Sequence, residues 1–191
     1  MTDTNYKSLY NPPGGILIWI IILLEVITFV AGLVVFAVMR SNELVMFEQS
    51  QQLLDQSIGL TNTLVLITGG FFMANALHQL KLGENQKSFL WMMAAILSGI
   101  VFMTLKGVEY SDKLAHGYGL EHNSFFTYYW LLTGFHFVHV FIGVVILCFL
   151  AVKTRNGSYS RDNFFDVETG GAFWHLCDLI WLLLFPVIYL L

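Results

Sequence analysis

Residues 127–152 read TYYWLLTGFHFVHVFIGVVILCFLAV, without one Asp, Glu, Lys or Arg. A helix rises about 1.5 Å per residue, so roughly 20 apolar residues cross a hydrocarbon core near 30 Å thick. This stretch is long enough, and its apolar residues do not alternate as barrel strands do. Four further runs share its character: Gly14 to Val38, Leu60 to Leu80, Phe89 to Val108 and Gly170 to Leu191. Backbone amides in lipid must be satisfied within the segment, so each run is predicted to be a helix. The expected fold is all-α: an integral membrane bundle of five transmembrane helices, forming one membrane domain over residues 1–191.

Composition points the same way. Of 191 residues, 57% are hydrophobic and only 12% charged, against about 25% charged in soluble domains. A core this small cannot hide so much apolar surface from water. Cys148 and Cys177 both lie within apolar runs and form no disulfide framework. A net charge of −4 without a basic cluster excludes nucleic acid as the partner. The first run is too long for a cleavable leader, carries Glu25 in its middle and has no small-residue cleavage site after it, so it is expected to remain as an anchor. Pro12 and Pro13 pre-set its start, and Asn156-Gly157 reads as a helix stop. The stretch from Glu43 to Leu60 reads as a short interfacial helix, with Leu44, Phe47, Leu54 and Ile58 roughly on one face. Lys7, Lys81, Lys87, Lys153, Arg155 and Arg161 fall on one side of the membrane and Arg40, Lys106 and Lys113 on the other. That bias places the N-terminus in the cytoplasm.

Polar side chains in lipid are expensive, about 2.5–3.5 kcal/mol for a charge at the bilayer centre, and so need partners. Glu25 lies deep in the first run. His136 and His139 lie three apart in the fourth, and His175 and Asp178 three apart in the fifth between Trp174 and Trp181. One reading makes the three histidines metal or axial haem ligands. The other makes Glu25, His136, His139, His175 and Asp178 a buried polar network bonding helix to helix. Haem bundles place ligands in repeated facing pairs, which are missing here, so the network is favoured and no metal is assigned. Glu25 reads either as a neutral hydrogen-bond donor in packing or as a relay in a proton path; packing is favoured, because no second acid aligns with it. His175 and Asp178 read as a local pair. Thr133, Gly134 and Gly143 mark close helix packing on the fourth run, as do Gly69, Gly70 and Ala74 on the second. Phe125, Phe126, Tyr128, Tyr129 and Trp130 form an aromatic belt. Lys106, Glu109 and Lys113 read as a solvated helix tip with ion pairs worth a few tenths of a kcal/mol. No phosphate loop, dinucleotide fingerprint, zinc helix or nucleophile elbow occurs, and no catalytic residue is assigned to this chain.

Three segments together resemble subunit III of the haem-copper oxidase superfamily. Thr133-Gly134-Phe135-His136-Phe137-Val138-His139-Val140, followed by Gly143, is similar to that family's TGFHGxHVxxG stretch, with Phe137 where Gly is common. Trp174-His175-Leu176-Cys177-Asp178-Leu179-Ile180-Trp181 resembles its WHFVDxVW ending. Trp19 to Glu25 resembles its W-x-F-x-x-S-E segment, with Leu24 replacing the usual Ser, and Asn62-Thr63 and Glu109-Tyr110 also match. The mitochondrial relatives have seven helices, so this chain is expected to lack the first two, as short bacterial forms do. The stretch Lys113 to Phe126 and the ending Leu184-Phe185-Pro186 look more like the nitric-oxide-reductase-associated branch.

The resemblance implies a non-catalytic subunit of a respiratory oxidase of the cytochrome c or quinol type, or of a related nitric oxide reductase, in a bacterial inner membrane. It would support assembly, stability and proton uptake of a catalytic subunit I that carries the haem and copper. This chain itself would hold no redox cofactor, with phospholipid as a possible bound group. The position of Glu25 corresponds to the family's buried, carbodiimide-reactive carboxyl. A haem-binding membrane cytochrome, or a small proton or solute carrier centred on Glu25, are the alternatives.

Overall fold

The computed structural model describes residues 12–191, so Lys7 and most of the expected polar opening lie outside the described residues. Five helices are long and apolar enough to cross a membrane, which makes this a multi-pass membrane protein. They are α1 (Gly15–Asn42), α3 (Gln56–Lys81), α4 (Asn85–Ala115), α5 (Ser124–Arg155) and α6 (Phe165–Phe185). A short α2 (Leu44–Gln51) follows α1, and a wide helical turn (Pro186–Leu190) prolongs α6. Proline has no N–H to donate, and the wide turn closes instead by a bond from Leu191 N to Pro186 O at 3.0 Å.

All five expected spans are present, and three of them, α3, α4 and α5, extend at both ends, because apolarity marks only the hydrocarbon-crossing part of a helix. Capping sets the true ends. The Asp55 side chain accepts from Ser57 N at 2.8 Å and Ile58 N at 3.1 Å, and Asn123 accepts from Phe126 N at 2.9 Å. Each satisfies orphan amides at a helix start. Gly157, at φ 73°, ends α5 in the left-handed conformation that its sequence signal implied. Asp55 also explains why Glu43 to Leu60 is not one interfacial helix: it opens α3 in the middle of that stretch. Phe47 and Leu54 are buried as expected, but Leu44 is exposed.

Helices α3, α4, α5 and α6 form a closed ring, each packed on the next and α6 back on α3, while α1 lies outside against α5 and α6. Trp174 and Trp181 of α6 are wholly buried at the centre of the ring. Glycines make room for Trp174: a Cβ at Gly99 would stand 2.7 Å from its ring, and one at Gly143 3.1 Å. Gly143 is thus the close-approach position expected of it. Gly134 is not, since nothing lies within 4 Å of where its Cβ would be. The N-terminal end of α1 is clasped to α6, with Gly14 N donating to Glu168 Oε2 at 3.2 Å and Thr169 Oγ1 donating to Gly14 O at 3.0 Å. Lys81 at the end of α3 bonds the other oxygen of Glu168 at 2.8 Å. The start of α1, the α3–α4 connection and the start of α6 therefore share one membrane face.

Candidate functional site: four polar groups in the bundle

The residues expected to form a single network fall into separate groups. Phe29 of α1 packs on Phe135, His136 and His139 of α5, which brings Glu25 one helical turn away to His139. Glu25 Oε2 stands 3.2 Å from His139 Nε2, although the approach angle falls short of a hydrogen bond. His139 Nδ1 lies 2.8 Å from Phe135 O. A carbonyl only accepts, so Nδ1 carries a proton and, in the neutral ring, Nε2 is left as an acceptor toward Glu25. A neutral carboxyl donating to Nε2, or a carboxylate facing an imidazolium, both fit this geometry.

His136 is fully buried, and neither of its ring nitrogens has a hydrogen-bond partner among the described residues. Its ring stacks on Trp181 at 5.3 Å and meets the edge of Phe102 at 5.6 Å. It packs as an aromatic side chain and does not join the Glu25–His139 contact.

His175 and Asp178 pair with each other, Nδ1 to Oδ2 at 3.2 Å, on the opposite side of α6, facing outward beside α3. The three imidazoles therefore do not converge. Among the described residues, no three His, Cys, Asp or Glu side chains gather as a metal would require. Thr133 is buried and joins α5 to α4 by accepting from Tyr110 OH at 2.9 Å.

The most enclosed polar group is one the sequence reading placed in water. Lys106 and Glu109 are 0% and 1% exposed in their side chains, with Nζ 3.0 Å from Oε2. Glu109 Oε1 accepts from Tyr189 OH at 2.6 Å and from Tyr129 OH at 2.9 Å. Lys106 also donates to Tyr189 OH at 2.6 Å. Its ammonium lies 5.0 to 5.3 Å from the ring centroids of Tyr110, Tyr129, Trp181 and Tyr189, so aromatic faces surround the cation. The expectation of a solvated tip is corrected here: α4 runs on to Ala115, so Lys106 is more than two turns inside it. Three helical segments close over the pair. Tyr129 is accordingly not a belt residue, being wholly buried. Lys113, also mostly buried, pairs with Asp112 at 3.1 Å, and a cleft lined by Gln52, Asp55, Asp112 and Lys113 reaches down to Glu109.

The signal that could have found this group is aromatic. Tyr110, Tyr129, Trp181 and Tyr189 come from α4, α5, α6 and the turn after α6, and their polar tips need buried partners once the helices are packed. Outside the membrane, the Tyr159 hydroxyl donates to Asp166 Oδ2 at 3.0 Å. Burial, with that carboxylate beside it, pushes its phenol up to about 12.

Residues 16–191 match the family model described as cytochrome c oxidase subunit III. Over 137 residues the chain is 31% identical to the heme-copper oxidase subunit I+III of Aeropyrum pernix, covering 71% of this chain and 17% of that one. It is 33% identical over 133 residues to cytochrome c oxidase subunit 3 of Thermostichus vulcanus, covering 68% and 64%. Against the protein of the same name from Synechocystis sp. it is 31% identical over 131 residues, covering 68% and 55%. The chain thus matches less than two thirds of the length of each of these relatives.

Proposed function

Since the chain belongs to the cytochrome c oxidase subunit III family, we propose that it is the non-catalytic subunit III of a respiratory haem-copper oxidase, or of a related nitric oxide reductase, in a bacterial inner membrane. The observation that carries this reading is the family match across all five spanning helices. The partner is the catalytic subunit I, which carries the haem and copper. A relative whose name joins subunits I and III in one chain supports that pairing.

In this role the chain works by packing. The α3–α6 ring, locked by two buried tryptophans, is a rigid block that holds neighbouring helices in register and supports assembly, durability and proton uptake of the catalytic subunit. No redox cofactor is assigned to this chain, and lipid fills the grooves left at its surface. The N-terminus faces the cytoplasm. With Lys106 enclosed in the bundle, Lys81, Lys87, Lys153, Arg155 and Arg161 on the face of the α3–α4 connection oppose Arg40 and Lys113 on the other among the described residues.

The test is affinity purification from native membranes in mild detergent, with mass spectrometry and a reduced-minus-oxidised spectrum. A co-purifying haem-copper catalytic subunit is the expected result, and its substrate class separates oxidase from nitric oxide reductase. A stoichiometric Soret band on the isolated chain would overturn the reading in favour of a membrane cytochrome. Proton or solute flux through the isolated chain in liposomes would favour a carrier.

A further inference from the structure

The His175–Asp178 pair stands apart from the other polar groups because it faces outward in the middle of the membrane. His175 lies ten residues into α6, about 15 Å along its axis, and Gly70 beside it lies about 16 Å from the nearer end of α3. Water and headgroups do not reach that depth. Yet the His175 side chain is 46% exposed and that of Asp178 16%. Charged side chains within a membrane almost always face a bundle interior or a watered cavity. Here they face the outer surface of the chain.

The fold also makes room for the pair. A Cβ at Gly70 would run into Asp178 Oδ2 and stand 3.3 Å from His175 Nδ1. With Nδ1–H donating to Asp178 Oδ2, His175 Nε2 is left as an acceptor, and neither it nor Asp178 Oδ1 has a partner among the described residues. Two acceptors at mid-depth are therefore left without a partner among the described residues, that of His175 on an exposed ring. Phe71 and Ile67 of α3, within a turn of Gly70, and Leu179 and Leu182 of α6, within about a turn of Asp178, are exposed, giving an apolar rim.

We infer that this α3–α6 face, centred on His175 and Asp178, seats a transmembrane helix of the catalytic subunit that presents a hydrogen-bond donor at mid-bilayer depth. Lipid tails have no donor, and a second copy of this chain would offer the same two acceptors. The inference rests on the subunit III reading and adds to it which surface is covered.

The test is photo-crosslinking in native membranes, with benzoylphenylalanine placed at Phe71 or Leu179 and, as a control, at Phe149 on the exposed side of α5. Adducts to a transmembrane helix of the haem-copper subunit are expected from 71 and 179 and not from 149. If that subunit co-purifies but its adducts arise only from 149, the surface is wrong and the subunit III reading stands. If adducts join copies of this chain, the surface is a self-interface and the inference fails. If no haem-copper subunit co-purifies with the wild-type chain, the functional reading itself fails. Asp178→Leu is expected to lower partner recovery about threefold, the worth of one average interhelical hydrogen bond, with the isolated chain still folded. Undiminished recovery would overturn the donor–acceptor contact.

Discussion

Replacing Lys106 with Met separates the buried reading of Lys106 and Glu109 from the solvated one by roughly an order of magnitude. In the structure both side chains are sealed from solvent, and Glu109 is held by the ammonium at 3.0 Å and by two tyrosine hydroxyls. Lys106→Met removes the cation bonded to Glu109 and leaves a carboxylate in the bundle with two neutral donors. Breaking a buried ion pair from one side costs about 3–5 kcal/mol, whereas exposed i,i+3 pairs contribute about 0.2–0.5 kcal/mol. The measurement is equilibrium unfolding in mixed micelles across a range of SDS fractions, followed by far-UV circular dichroism and tryptophan fluorescence.

A second variant guards against a general packing defect. Glu109→Gln keeps a carbonyl that can accept from Tyr129 and Tyr189 while removing the charge. The double variant, Lys106→Met with Glu109→Gln, is therefore expected to be more stable than Lys106→Met alone. The resulting coupling energy should be about 1–3 kcal/mol, as for residues in one network. Single variants within about 0.5 kcal/mol of wild type, the range of ordinary surface substitutions, would refute the enclosed pair. So would a double variant whose loss equals the sum of the two.

Gly99→Ala is expected to lose about 1–3 kcal/mol by overpacking, since its Cβ would stand 2.7 Å from Trp174, while Gly134→Ala, with open space beside it, should gain up to about 1 kcal/mol from helix propensity; the same unfolding assay ranks them, and the reverse order would contradict the packing described. Glu25→Gln should retain stability and partner recovery, because its amide can donate to His139 Nε2 as a neutral carboxyl would, whereas Glu25→Leu should lose about 0.6 kcal/mol in unfolding; a stable Leu variant beside an unstable Gln variant would sink the pairing. The Tyr159 phenol is held up to about 12 in the folded chain, against about 10 unfolded, so it favours the folded state fully below about pH 10 and loses that contribution as pH rises through 12. The stability margin of wild type over Tyr159→Phe should therefore shrink across that window, and a margin that stays flat would contradict the Asp166-bonded phenol.

How much of this was legible in the sequence depends on the length scale of the signal. The apolar runs are long, so five spans could be read directly, and Glu25 and His139 could be singled out by depth alone. Lys106 could not. The apolar run ends at Val108, but the helix continues to Ala115 and carries Lys106, Glu109 and Lys113 with it. Spacing of three and four residues looks the same on a wet tip and in a dry core. What decides between them is the arrival of Tyr129 and Tyr189 from elsewhere in the chain, 20 and 80 residues away from Glu109. Likewise the family-like stretch from Thr133 to Val140 marked its histidines as important but not as separate. Three residues of helix turn a side chain through most of a right angle, enough to send His136 into an aromatic stack and His139 toward α1.

Exposure then sorts the polar groups by whom they serve. Lys106 and Glu109 satisfy each other with help from tyrosines, and Glu25 faces His139 between α1 and α5, so both arrangements meet inside the chain. His175 and Asp178 are paired too, but His175 Nε2 and Asp178 Oδ1 have no partner among the described residues, and the His175 side chain is exposed. A bundle that needed them only for its own packing would turn them inward, as it does with Lys106, or dispense with them, since an apolar pair at that surface carries no desolvation penalty. Glycine at position 70 sharpens the point, because even alanine there would collide with Asp178. The chain thus accommodates, at the level of a single missing methyl group, a polar pair that its own helices leave uncovered.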